Sequence, residues 1–310
     1  HAILAPSAAW YPQMPHVWAA TTLTVRVPAG WAAIAAGVPE TPSASGSFRF
    51  KTKRPVRSIA VAAAPGLRTV LGSIVAVPFR LATTAATAPL AATVRSLGPA
   101  MAWLSGALSP YPFDGFALVL LPGYSGRVQA SGLLIVGASI PLATDADGAD
   151  LLAGQWFGEA LGGDGAWIEA FAAWEACVFA RDRSLPLPGD IARLRTGYFR
   201  LLSGDIALAS APATAPAEVL RGKGSAAPDM VRLVAGDRAT FDAVRELFAA
   251  PPGPPRSLLD VKITIEKHAQ RLLDRTFDDW FSRAGAPEFE SDLRSFPAAG
   301  GGFRADVTVT

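Results

Sequence analysis

From Asp150 to Trp174 the chain reads DLLAGQWFGEALGGDGAWIEAFAAW. Trp156, Phe157, Trp167, Phe171 and Trp174 recur at helical spacing, which predicts helices over roughly 147–161 and 165–180. Side chains of this size on adjacent helices need a core to enter. The fold must therefore place this segment near its centre. Most of these rings are expected in the core, with one or two lining a cleft.

The rest of the chain can supply such a core. Half of its 310 residues are hydrophobic and 17% are charged, which excludes a disordered or polyanion-coating composition. The formal charge of +2 is spread along the sequence, so nothing points to a nucleic-acid partner. Cys177 is the single cysteine, so no intramolecular disulfide forms. It lies in the apolar helical run AAWEACVFA and reads as a buried thiol. The uncharged stretches 81–94 and 128–144 are short or interrupted for a membrane span. The chain reads as soluble. Its compartment stays open, an extracytoplasmic one after signal removal included, because the first residue is His1 and a removed signal leaves no trace.

Short alternating runs, TLTVRVP, SGSFRFKT and SIAVAAA, predict antiparallel strands over 17–62. Residues 68–105 are rich in Ala and Leu and read as helix, broken around Pro89 and Pro99. FALVLLPG and SGLLIVG, at 116–123 and 131–137, read as buried strands. Further helices are expected over 188–204, from Met230 to Ala249 and from Leu258 to Ala284, with PPGPP at 251–255 as a rigid turn and Gly285 as a stop. A final strand closes the chain after Gly300. Strands followed mainly by helices imply an α+β class.

Catalytic zinc takes three protein ligands and an open position, and a helix supplies two of them as H-E-x-x-H because i and i+4 share a face. The chain has three histidines, His1, His16 and His268, and no two are four apart. DADGAD offers Asp145, Asp147 and Asp150 at a spacing that suits calcium, but lacks a later bidentate glutamate, and a solvated loop before a helix is the plainer reading. Asp147 or Asp150 is also placed to cap that helix. Glu159, Glu169 and Glu175 offer carboxylates for acid–base work, and no phosphate-binding loop or G-x-S-x-G elbow is present.

QWFG followed by WIEAFA resembles the M1 family of zinc aminopeptidases, a gluzincin group. SAAWYPQMP with TLTVRVPAGW, FKTKRPVRSIAVAAAPG, LSPYPFDGFALVLLPGYSG and FDDWFSRAGAPEFESD resemble other segments of that family in the same order. The resemblance implies the end of an N-terminal antiparallel β domain over 1–62. A thermolysin-like, mostly helical domain follows over 63–288, and the first strand of a further β domain over 289–310. The family's zinc motif falls on Asp150 to Gly154. Its two histidines become Asp150 and Gly154, its glutamate base becomes Leu151, and its third ligand matches Glu169, though the intervening stretch is shorter than in the family. The family's G-A-M-E-N motif, which anchors the substrate amine, falls on Gly126, Arg127, Val128, Gln129 and Ala130. Its Y-x-K-G motif falls on Arg221 to Gly224, and no tyrosine follows Tyr198.

The resemblance thus implies a degenerate member with no catalytic residue, metal or cofactor. Its expected role is to bind or scaffold a protein or peptide segment, or other parts of one longer polypeptide. Trp156, Phe157, Trp167, Arg221 and Lys223 are the candidate cleft residues. Two alternatives stay open: a hydrolase with altered chemistry using Glu169, Gln129 or the Asp145–Asp150 cluster, and a fragment of a larger multidomain protein.

Overall fold

A computed structural model describes residues 1–12, 17–40, 46–85, 90–137, 144–163, 165–201, 204–212, 214–249, 255–285, 291–297 and 302–309. The chain opens with six strands: β1 (Ala2–Leu4), β2 (Thr22–Arg26), β3 (Trp31–Ala35), β4 (Val38–Glu40), β5 (Ser47–Lys51) and β6 (Val61–Pro65). They form two antiparallel sheets, in the orders β1-β6-β3 and β2-β5-β4. Then come β7 (Arg68–Ile74), β8 (Val77–Thr83), α1 (Leu90–Ala107), β9 (Phe116–Leu121), β10 (Arg127–Ala130) and β11 (Leu133–Gly137). These five strands make a mixed sheet, ordered β10-β11-β9-β8-β7. Its centre is parallel, β8 with β9 and β9 with β11, while β7 and β10 join antiparallel at the edges.

The helices are α2 (Asp145–Gly154), α3 (Trp167–Asp182), α4 (Gly189–Tyr198), α5 (Ala227–Ala235), α6 (Asp237–Ala249), α7 (Leu258–Ala269) and α8 (Asp274–Phe277). A hairpin of β12 (Ser291–Pro297) and β13 (Phe303–Val309) ends the described chain. The architecture is a β-rich N-terminal region, then a helical bundle, then trailing strands. No described helix is long and apolar enough to cross a membrane.

The period of two along the central strands explains why FALVLL is apolar throughout. Phe116 and Leu118 of β9, with Leu134 and Val136 of β11, enter the main core with the helices. Ala117, Val119 and Leu121, with Leu133 and Ile135, face the other way, onto Ile34, Ala62 and Ala64 of the β1-β6-β3 sheet. A strand covered on both faces has no position for a polar residue. Trp156, Trp167, Trp174, Phe171 and Phe179 are all fully buried in the main core.

Four expectations are corrected, the first being the helix expected from Leu258 to Ala284, which stops at Ala269 with Gln270 in the left-handed region and resumes at Asp274. Residues 68–83 are a β-hairpin, not helix. They carry Thr69, Val70, Ile74, Val75 and Val77, which suit a pleated surface, and the turn is made by Val75 and Ala76 at φ 48° and 64°. Helix α1 also runs through Pro99 without ending. The helix expected from Met230 divides at Gly236, whose φ is 92°. The Pro89 break, His16 and most of the PPGPP turn lie outside the described residues.

Helix α1 crosses α2 where Gly148 meets the carbonyl of Ser96. A Cβ on Gly148 would stand 2.6 Å from that oxygen and 3.4 Å from Leu97 Cδ2. Gly148→Ala gains up to ~1 kcal/mol of helix propensity but forces the helices apart, which costs about 1–3 kcal/mol. Overlap with backbone wins, so the variant is expected to be less stable by about 1–2 kcal/mol in urea denaturation.

Candidate functional site

The DADGAD acids are not a loop. They open α2, and Thr144 and Asp147 form a reciprocal capping box there: Asp147 N donates to Thr144 Oγ1 at 3.2 Å, and Asp147 Oδ2 accepts from Thr144 N at 3.0 Å. Asp147 Oδ1 accepts from Gly189 N at 3.1 Å. Both oxygens of Asp147 are thus committed to the backbone. Among the described residues, no three His, Cys, Asp or Glu side chains stand together to hold a metal ion.

One helical turn later, Asp150 is buried between two arginines. Arg221 Nη2 donates to Asp150 Oδ1, and Arg127 Nη1 lies 3.8 Å from Asp150 Oδ2. Arg127 Nη2 also donates to the carbonyls of Asp150 and Leu151, each at 3.2 Å, and to Gln129 Oε1 at 3.1 Å. Arg127 comes from β10, and Arg221 from a π-helical turn, Glu218–Lys223. Burial and the facing Arg221 guanidinium lower the Arg127 pKa, and Asp150 and Glu169 oppose that shift.

Gly154 has a second tenant. A Cβ built there would overlap the side-chain amide of Gln129. Gln129 therefore fills the space that any larger residue at 154 would need. After Gly154 the helix widens into a π-helical turn, Gln155–Ala160. There Gln155 is fully buried, accepting from Gly132 N at 2.9 Å and donating to the Ala130 carbonyl at 3.2 Å. It ties α2 to the β10–β11 turn and so fixes Gln129 and Arg127 above the helix.

Between Ser125, Gly126, Arg127, Asp147, Asp150, Leu151, Asp190 and Arg221 lies a cavity of about 230 Å³. Of the expected cleft residues, Arg221 lines it. Trp156, Phe157 and Trp167 are 0%, 1% and 2% exposed and belong to the core. Lys223 is also buried, with Nζ bonded to Asp205 Oδ2 at 3.2 Å and to the Arg283 carbonyl at 3.0 Å. Ala130 is buried, while Glu169 is exposed in the first turn of α3, where its charge acts on Arg127 and Arg221.

Two other carboxylates have separate settings. Glu159 accepts from Ser58 Oγ at 2.6 Å and from Ser131 Oγ at 2.8 Å, linking the N-terminal strands to the mixed sheet. Burial raises its pKa, against the pull of the two hydroxyls and Arg57. Glu175, on α3, is completely buried, and neither oxygen has a hydrogen-bond partner among the described residues.

No protein-family model and no curated protein matches the sequence. Solved structures do match. The M1 zinc metallopeptidase from Deinococcus radiodurans superposes with a TM-score of 0.70 at 22% identity, over 88% of this chain and 66% of that one. The chain has the M1 zinc metallopeptidase fold. A mutant of that metallopeptidase bound to a Tyr-Ser-Ala substrate matches at TM-score 0.70 and 24% identity, and a two-domain mutant bound to L-arginine at 0.69 and 23%, each over the same shares of both chains. This chain therefore spans 66% of the length of those structures.

The residues do not fit the zinc that those names carry. At the positions the resemblance assigns to ligands, Gly154 has no side chain, Asp150 is ion-paired, and Glu169 is exposed. Leu151, at the position of the base, is 3% exposed and has no proton acceptor. Two fixed guanidiniums beside Asp150 would also repel a divalent cation.

Proposed function

We propose that this chain is a catalytically silent protein of the M1 metallopeptidase fold that binds a protein or peptide segment. One observation carries the reading: Asp150 is closed off by Arg221 and Arg127, and Gln129 is packed over Gly154. The space that a metal and its second ligand would need is taken by fixed side chains of the chain itself. Without a metal or a base, attack of water on an amide lacks the activation that lowers the pKa of water from about 16 toward 7.

A concave site nevertheless remains, with convergent polar groups on rigid elements. Solved relatives of the same fold are described with a Tyr-Ser-Ala substrate, with L-tryptophan and with L-arginine. Those ligands belong to those proteins, and the shared fold supports the reading that a peptide segment is bound here as well. In this reading the chain divides into a β domain over 1–62, a thermolysin-like domain over 63–288, and the start of another β domain over 289–310.

The test pairs elemental analysis with a panel of aminoacyl and peptide substrates, and with calorimetric titration of the same peptides. The expected result is less than stoichiometric zinc, no turnover, and saturable peptide binding. Stoichiometric zinc accompanied by turnover would overturn the proposal.

A further inference from the structure

The cavity beside Asp150 has a polarity of its own. Its deep part holds Arg127, Arg221 and Asp150, whose side chains are 25%, 16% and 8% exposed. Two guanidiniums against one carboxylate leave a single positive charge at the floor. Each guanidinium presents a fork of N–H donors and no acceptor. Among the described residues their acceptors are Asp150, its carbonyl, that of Leu151, and Gln129 Oε1. Arg221 Nε is buried with no acceptor at all among the described residues. The floor is therefore richer in donors than in acceptors.

The mouth is the opposite. Asp190 stands there with its side chain 52% exposed and paired to Arg193, and Asp147 lies beside it. Glu169, outside the cavity lining, and Asp190 both act by their charge on the two floor arginines. A group entering this cavity meets acid first and guanidinium last.

We infer that the cavity receives an α-carboxylate, carried by a free amino acid or by the C-terminus of a peptide, with Arg127 and Arg221 as its receptors. The inference rests on the binding-module reading above and specifies which end of the ligand is read. A planar carboxylate accepts from guanidinium forks with good geometry. The donors left over on the two guanidiniums, Arg221 Nε among them, match the acceptors of one carboxylate. A phosphate, which carries more charge, fits the floor less well and passes an acidic mouth at greater cost. The same mouth favours a neutral or cationic neighbour to the carboxylate. The volume of about 230 Å³ admits a residue, not a folded domain.

Isothermal titration of the full chain with the tetrapeptide Ala-Ala-Lys-Ala decides the matter when run beside its C-terminal amide, its N-acetyl form, free alanine and inorganic phosphate. The free acid and the N-acetyl peptide are expected to bind equally, and the amide at least about tenfold more weakly. Arg127→Met, which leaves the Asp150–Arg221 pair in place, is expected to weaken the acid about tenfold and leave the amide unchanged. Binding of free alanine as tight as that of the peptide assigns the site to amino acids, and binding of the peptide alone assigns it to a C-terminus; both support the inference. Equal binding of acid and amide overturns it while leaving the binding-module reading intact. So does loss of binding on N-acetylation, or phosphate outcompeting the acid. Binding by none of the ligands overturns the inference, while the broader reading stands or falls on the zinc and turnover assays above.

Discussion

Replacing Asp150 with alanine is expected to remove about 3 kcal/mol of stability, because it leaves two arginines facing each other without their shared anion. Breaking a buried ion pair from one side costs about 3–5 kcal/mol, since the remaining charge stays desolvated. Arg127 and Arg221 are 25% and 16% exposed, so solvent screens part of that charge and the lower end applies. Urea denaturation at neutral pH measures the loss as a lower midpoint at unchanged slope. The double variant Asp150→Ala with Arg221→Leu removes one of the two charges along with the anion. It is expected to recover part of the loss, because coupled partners are not additive. A double variant no more stable than the sum of its singles would show that the cluster is not a coupled unit. The same geometry governs an attempt to install the missing motif. Asp150→His, Leu151→Glu and Gly154→His together place an imidazole where Gln129 already packs and discard the anion between the arginines. Elemental analysis of that triple variant is expected to show no stoichiometric zinc, and its thermal midpoint is expected to fall.

How much of this was legible beforehand differs from element to element. The early strands and the two central ones follow from alternation and from apolar runs of the right length. The 68–83 hairpin was hidden because its turn uses Val75 and Ala76 in the left-handed region, where glycine or asparagine would have announced it. The stretch that follows, to residue 105, is rich in Ala and Leu, and a composition taken over 68–105 as one block points to helix. Strand β12 is not legible in the sequence because only its partner β13 alternates cleanly. At the site, the lack of paired histidines could be counted from the letters. What replaced them could not. Arg221 reaches Asp150 from 71 positions away in sequence, through a π-helical turn that periodicity does not encode. Gln129 could be placed on its strand only once β10 was seen to pair with β11. The aromatic run in 150–174 fixed the centre of the fold, and it was core packing, not chemistry, that those rings served.

Glu175 should be a net liability that the chain carries at neutral pH, and substituting it is expected to stabilise the protein. Burial pushes its carboxyl up from 4.5 to about 8, although the Arg245 and Arg181 charges pull the other way. In the unfolded chain the group ionises near its ordinary value. Between pH 4.5 and about 8 the folded state therefore holds a proton that the unfolded state has released. Stability must then fall as pH rises through that window, by about 1.4 kcal/mol per unit. At pH 7 the accumulated loss is on the order of 3 kcal/mol; below the unfolded pKa it vanishes. Glu175→Gln keeps the shape and removes the titration, so its advantage over the native chain should grow from pH 4.5 to about 8 and then level off. Glu175→Met also removes the two unpartnered oxygens with a side chain of similar length, and is expected to gain at least as much. Chemical denaturation of the three proteins across this pH range reads the difference directly. Parallel pH profiles for native and Gln forms would mean that the carboxyl is solvated or paired in the folded state, and the argument from burial would be wrong.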